Sequence, residues 1–230
     1  MKKLTALLLT LIMLFSFTAC NKKIPRDNGR GEQTENTISS NEEENSATAS
    51  EEFSAGDTEG LTYENKFIGL GCRLDSNWSF YSDEQIKELN NIATDLAGEE
   101  YEKALKNADL VYDMYAINSN QTDSINVILE KVSSLQLASL DIAENFETIF
   151  PTIKQSLENM GYTNVTYEIG SIRIDDREFA NLNTVAEING IKMYQSTIAV
   201  KCGGYLANIA VTTFNDNLTA SIFDKFYVVK

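Results

Sequence analysis

Four segments near the C-terminus decide the fold: VTYEIGSIRI (165–174), EFANLNTVAEI (178–188), IKMYQSTIAVKC (191–202) and YLANIAVTTF (205–214). Each is rich in β-branched and aromatic residues, and each junction is a short turn: Asp175-Asp176, Asn189-Gly190 and Gly203-Gly204. Asn-Gly between two such runs signals a type I′ hairpin, because both central residues must take positive φ. The stretch therefore predicts an antiparallel meander.

Upstream lies the clearest helical signal in the chain. Ile142, Phe146, Ile149, Phe150, Ile153, Leu157 and Met160 recur at three- and four-residue spacings up to Gly161, which predicts a long amphipathic helix. Pro151 removes one backbone donor and predicts a kink near Phe150. Before it, 110–117 and 124–132 read as two strands joined by the polar turn 118–123. Ser82 and Gln85 have the spacing of a capping box, with Tyr81 and Ile86 placed as a hydrophobic staple. A helix is expected there, with Ile86, Leu89, Ile92, Ala93 and Leu96 as its apolar stripe and Gly98 as its left-handed end. A short helix is expected over 99–107. Ile68, Leu70, Cys72 and Leu74 alternate with Phe67, Gly69, Gly71 and Arg73, and Asp75-Ser76-Asn77 reads as the turn of a hairpin returning through Trp78 and Phe80. A terminal helix is expected from Asn217, with Leu218, Ile222 and Phe226 inward. The fold class is α+β: a single domain with a central antiparallel sheet flanked by helices.

Composition narrows the chemistry. The chain has 230 residues, 43% of them hydrophobic, no histidine and a net charge of −15. The missing histidine removes the commonest general base and transition-metal ligand. The negative charge argues against nucleic acid, whose binding depends on lysine and arginine neutralising phosphates. No cofactor or metal motif is present: Gly69-Leu70-Gly71 lacks the third glycine and the following helix of a nucleotide loop.

The N-terminus carries an address. Met1-Lys2-Lys3 precedes an apolar run from Leu4 to Phe17, too short to span a bilayer and of the length of a secretory signal. Phe17-Thr18-Ala19-Cys20 resembles the lipobox of bacterial lipoproteins, which implies cleavage before Cys20 and attachment of acyl chains such as palmitate to its sulfur. From 21 to 60 the chain is Asn, Ser, Thr, Glu and Gly, with acids outnumbering Lys22, Lys23, Arg26 and Arg30. Such a segment cannot bury enough apolar surface to offset its ordering entropy and reads as a disordered acidic tether with a reach of about 35 Å. The expected organisation is a signal peptide over 1–19, a lipidated cysteine and tether over 20–60, and one α+β domain over 61–230.

The order of elements, together with Tyr63-Glu64-Asn65-Lys66-Phe67-Ile68-Gly69-Leu70-Gly71 and Leu74-Asp75-Ser76-Asn77-Trp78-Ser79-Phe80-Tyr81, resembles the opening of the PsbP/Mog1-like fold. That resemblance implies a non-enzymatic accessory or binding protein and transfers no site residues.

Candidate sites are few. After lipidation of Cys20, Cys72 and Cys202 remain, either as an extracytoplasmic disulfide or as two small buried hydrophobes. Asp175, Asp176 and Glu178, with Arg173 and Arg177 beside them, read as a solvated turn in preference to a Ca²⁺ loop. Tyr63, Trp78, Phe80 and Tyr81 form an aromatic group that caps the sheet or, when exposed, offers a platform to a partner. A serine nucleophile would need Lys131, Lys192 or Lys201 buried beside it. The expectation is a membrane-anchored, extracytoplasmic, non-catalytic module, held to the membrane through Cys20 and meeting an envelope protein or polymer. The alternatives are an envelope hydrolase working through paired carboxylates or a lipoprotein that captures a small ligand in a closed apolar cavity. Replacing Cys20 with alanine should abolish labelling by radioactive palmitate and move the protein from the membrane to the soluble fraction; retained label would contradict the lipobox reading.

Overall fold

The computed structural model describes residues 53–93 and 97–229. The signal sequence, Cys20, the tether up to residue 52 and Leu96 lie outside the described residues. In chain order the elements are β1 (Asp57–Glu59), β2 (Thr62–Asn65), β3 (Leu70–Arg73), β4 (Trp78–Phe80), α1 (Asp83–Leu89), α2 (Gly98–Asn107), β5 (Leu110–Asn118), β6 (Ser124–Lys131), α3 (Ser134–Ser139), α4 (Ile142–Asn159), β7 (Thr163–Ile174), β8 (Arg177–Ile188), β9 (Ile191–Cys202), β10 (Tyr205–Phe214), α5 (Thr219–Phe223) and β11 (Phe226–Val228).

They form two antiparallel sheets. The larger has the order β4-β5-β6-β10-β9-β8-β7 and the smaller β1-β2-β3-β11. The meander expected from the sequence is the β7–β10 half of the large sheet. Asn189 and Gly190 stand at φ 52 and 79, and Ile188 pairs with Ile191 across them, as a type I′ turn requires.

The large sheet is covered on both faces. One core joins Val111, Ile125, Val127, Leu129, Ile198, Ala207, Ile209 and Val211 to Tyr63, Leu70, Cys72 and Phe226 of the small sheet. The other joins Ile128, Leu182, Met193, Leu206 and Ala210 to Phe146, Ile149, Phe150, Ile153 and Leu157 of α4. Each of these large side chains gains roughly 1.5–3 kcal/mol on leaving water. Burial on both sides explains why β10 is buried at every residue but its last and reads as a continuous run rather than an alternating one. Helix α4 is capped by Asp141, whose carboxylate accepts from the Glu144 amide at 2.9 Å. It continues through Pro151, which sits on its exposed side.

Four expectations are corrected. The hairpin through Asp75-Ser76-Asn77 does not exist as such: β3 pairs with β2 and β11, while β4 crosses to the large sheet and pairs with β5. The turn residues are right, but Trp78 is buried under the second sheet, so the chain changes layer there. Helix α1 stops at Leu89 and turns left-handed at Asn91 (φ 54), and Gly98 opens α2 instead of closing α1. The Asn90 side chain causes the early stop: its amide bonds both the N–H and the C=O of Tyr112, at 2.7 and 2.8 Å. The terminal helix starts two residues late, leaving Leu218 exposed at 44%, and Phe226 is buried from a strand, not from that helix. Finally, the folded unit reaches back into the stretch with tether composition, because Phe53 packs on Phe67 and Tyr205 at centroid distances of 5.6 and 5.0 Å and 57–59 form β1.

The half-buried Glu130 makes stability depend on pH. Glu130 on β6 has Oε2 buried without a hydrogen-bond partner among the described residues. Burial, helped by the charge of Asp109, pushes its carboxyl from 4.5 up to about 8. The folded state thus holds this proton more tightly than the unfolded state. Its contribution is full below the unfolded value and is lost as pH climbs toward about 8. Urea unfolding on either side of that window should show wild type losing stability with rising pH, and Glu130→Gln should flatten that loss; equal slopes would contradict it.

Candidate functional site

Strand β5 reads Leu110-Val111-Tyr112-Asp113-Met114-Tyr115-Ala116-Ile117, a lone acid in an apolar strand. Its register with β6 slips between Tyr112, opposite Ile128, and Met114, opposite Val127, so Asp113 is the extra residue of a β-bulge. A bulge re-aims a side chain, and here the carboxylate turns into the seam between the sheets.

Three protein groups donate to Asp113. Its Oδ2 accepts from the Tyr63 hydroxyl at 2.5 Å and from Asn65 Nδ2 at 2.8 Å. The Gly56 amide donates to both carboxylate oxygens, at 2.9 and 3.1 Å. Asn65 is fixed in turn by the Ile68 amide, which donates to its Oδ1 at 3.0 Å. One buried carboxylate therefore ties β5 to β2 and to the segment leading into β1. Burial pushes the Asp113 carboxyl above its usual range, and the bonds from Tyr63, Asn65 and Gly56 pull against that rise. Burial also holds the Tyr63 phenol far above its usual value, with the Asp113 charge adding to the effect, so Tyr63 stays a donor. Position 56 must be glycine, since a Cβ there would lie 2.8 Å from Asp113 Oδ2.

Above this clamp lies an open cleft of about 610 Å³. Its floor is 112–115 of β5 and its near wall the segment 53–58; α1 and α2 form the far side through Asp83, Ile86, Lys87, Tyr101, Glu102 and Leu105. The rings of Tyr81 and Tyr115 meet at 4.4 Å. The Lys87 ammonium lies 5.2 Å from the Tyr101 ring centre, joining the two helices across the mouth. Asp57, Asp83 and Glu102 make an exposed acidic rim. A second, shallower cleft of about 260 Å³ opens beside α3 and the start of α4.

Of the residues singled out in the sequence, Tyr63, Phe80 and Tyr81 belong to this site and the others fall elsewhere. Cys72 and Cys202 are buried thiols not joined in a disulfide, and burial pushes the Cys72 thiol up to about 12, the state of an inert core residue. The Asp175 carboxylate accepts from the Val228 amide at 2.7 Å, Arg173 Nε donates to the Asp175 carbonyl at 3.0 Å, and Arg177 lies over the Phe179 ring; this acidic turn fastens the end of β11. Trp78 and Tyr63 are core, while Phe80 and Tyr81 are half-buried at the cleft. Lys131, Lys192 and Lys201 are all exposed. The capping box expected of Ser82 and Gln85 is present. Asp113 and Gly56 carried no motif; the signal available for the former was a charge in the middle of an apolar strand.

No protein-family model matches the sequence, and neither does any curated protein. Among solved structures the fold is similar to LpqN of Mycobacterium tuberculosis, a protein involved in cell envelope biogenesis, at 11% identity and a TM-score of 0.39, over 70% of this chain and 83% of that one. Among the described residues no helix is long and apolar enough to cross a membrane.

Removing one donor leaves the buried carboxylate short of a partner, so Tyr63→Phe should cost about 1.5–3 kcal/mol in urea unfolding. Gly56→Ala, which forces the clamp apart, should cost at least as much. A loss within error of zero for both would show that the clamp holds nothing.

Proposed function

We propose that the chain is a lipid-anchored, extracytoplasmic, non-catalytic binding module whose folded domain takes a segment of an envelope polymer or protein into the cleft above Asp113. The anchor rests on Cys20 and the run before it; the spacing from the membrane rests on the composition of the tether.

The cleft carries the reading. Among the described residues it is partly open to solvent and not a sealed apolar cavity, so it suits an extended segment laid into it. Its walls combine the half-buried phenol rings of Tyr81 and Tyr101 with rim carboxylates. Rings pack against the apolar face of a ligand and carboxylates accept from its hydroxyls or amines, the mixture of apolar wall and few placed polar groups typical of recognition sites. Catalysis by paired carboxylates is disfavoured by Asp113 itself. Its oxygens are engaged by Gly56, Tyr63 and Asn65, whereas a general acid must offer its proton to the substrate.

Calorimetric titration of the protein with soluble polysaccharide and peptide fragments of a bacterial envelope tests this. One class should bind without being cleaved, and Tyr101→Ala should weaken it about tenfold, worth about 1.4 kcal/mol, while Tyr101→Phe keeps most of the affinity. Binding that ignores Tyr101→Ala, or fragments that are hydrolysed, would overturn the proposal.

A further inference from the structure

Strand β7 ends the large sheet, with β8 as its one strand partner among the described residues. Every second peptide group of this strand therefore faces away from β8, leaving an open ladder edge. Proteins usually blunt such an edge with proline, a bulge or inward charge. β7 has no proline, and its irregularity is confined to the start, between Thr163 and Thr166. From 166 to 174 the edge is regular and its side chains are mostly exposed.

The side chains indicate what fits this edge. Gly170 pairs with Asn181 and Ile172 with Phe179, placing Glu168, Gly170 and Ile172 on the face toward the small sheet. Tyr167, Ile169, Ser171 and Arg173 share the α4 face, where the Tyr167 ring stacks on Phe150 at 3.9 Å yet stays 42% exposed. Two identical strands pairing antiparallel about a two-fold axis set residues of the same face opposite each other, so the paired residue numbers must sum to an even value. With Gly170 on the axis, Tyr167 lies opposite Arg173 of the second copy, twice over, bringing guanidinium to phenol ring. Ile169 then faces Ser171, and Glu168 faces Ile172. Moving the axis to Ile169 or Ser171 loses the tyrosine–arginine pair, and moving it to Glu168 sets like charges opposite each other.

We propose that β7 is a self-association edge: two copies of this chain pair antiparallel through 166–174 with Gly170 on the two-fold axis, making one sheet continuous through both. The occupant is a second copy because the strand is complementary to itself in this register.

Full-length chains carrying Ile169→Cys and Ser171→Cys are to be co-expressed and oxidised in membranes. Residues opposite each other in such a pair have Cα atoms about 4.5–5.5 Å apart, within the span a disulfide bridges, and native Cys72 and Cys202 are buried. The mixed pair should give a band at twice the chain mass that the exposed control Leu135→Cys does not, and adding Arg173→Glu should diminish it. No such band, a band equal to the control, or a cross-link to a different protein would overturn the proposal. Sedimentation of the unsubstituted chain in mild detergent reads the same point without any substitution: a dimer is expected, and a monomer throughout the micromolar range would contradict it.

Discussion

The Asp113 carboxylate, sunk in the seam between two sheets, is the constraint on which the rest of the structure depends. Burying an acid is costly unless donors surround it, and the donors come from three places in the chain: the Gly56 amide, the Tyr63 hydroxyl and the Asn65 carboxamide. Each belongs to the small sheet or the segment entering it, whereas Asp113 belongs to the large one. Satisfying one charge thus docks one sheet on the other. Phe53 completes the attachment by packing into Phe67 and Tyr205.

The same arrangement shapes the cleft. The bulge that turns Asp113 inward interrupts the regular course of β5, and α1 and α2 stand over that stretch. Tyr112 is held by Asn90 from α1's end, and the Tyr81 amide donates to the Tyr115 carbonyl at 2.8 Å. The backbone edge of β5 is therefore closed by the protein itself, and what faces solvent is ring and carboxylate. The clamp lies below and the half-buried rings of Tyr81 and Tyr101 line the cleft above it.

Much of the fold was legible in the sequence because local signals were strong where they mattered. The Asn189-Gly190 turn, the stripe on α4 and the Ser82 cap each have a local physical cause, and each stands in the structure. The errors share a different cause. Trp78 follows a turn and reads as the return arm of a hairpin, but only tertiary packing decides that it crosses to another sheet. Asn90 ends α1 by bonding a strand distant in sequence. The site was less legible still. Asp113 stood out only as a charge among apolar neighbours, and nothing local tells a buried, fully bonded acid from an error of register. Gly56 lay in a stretch whose composition promised no structure at all.

The most direct test of this account is hydrogen exchange at the Gly56 amide, measured by NMR on the full chain. If the Asp113 clamp holds the sheets together, that amide exchanges only when the domain opens as a whole and is protected as strongly as the β10 core. An amide at position 56 exchanging at the rate of a free peptide, while β10 stays protected, would show that the sheets are joined without it.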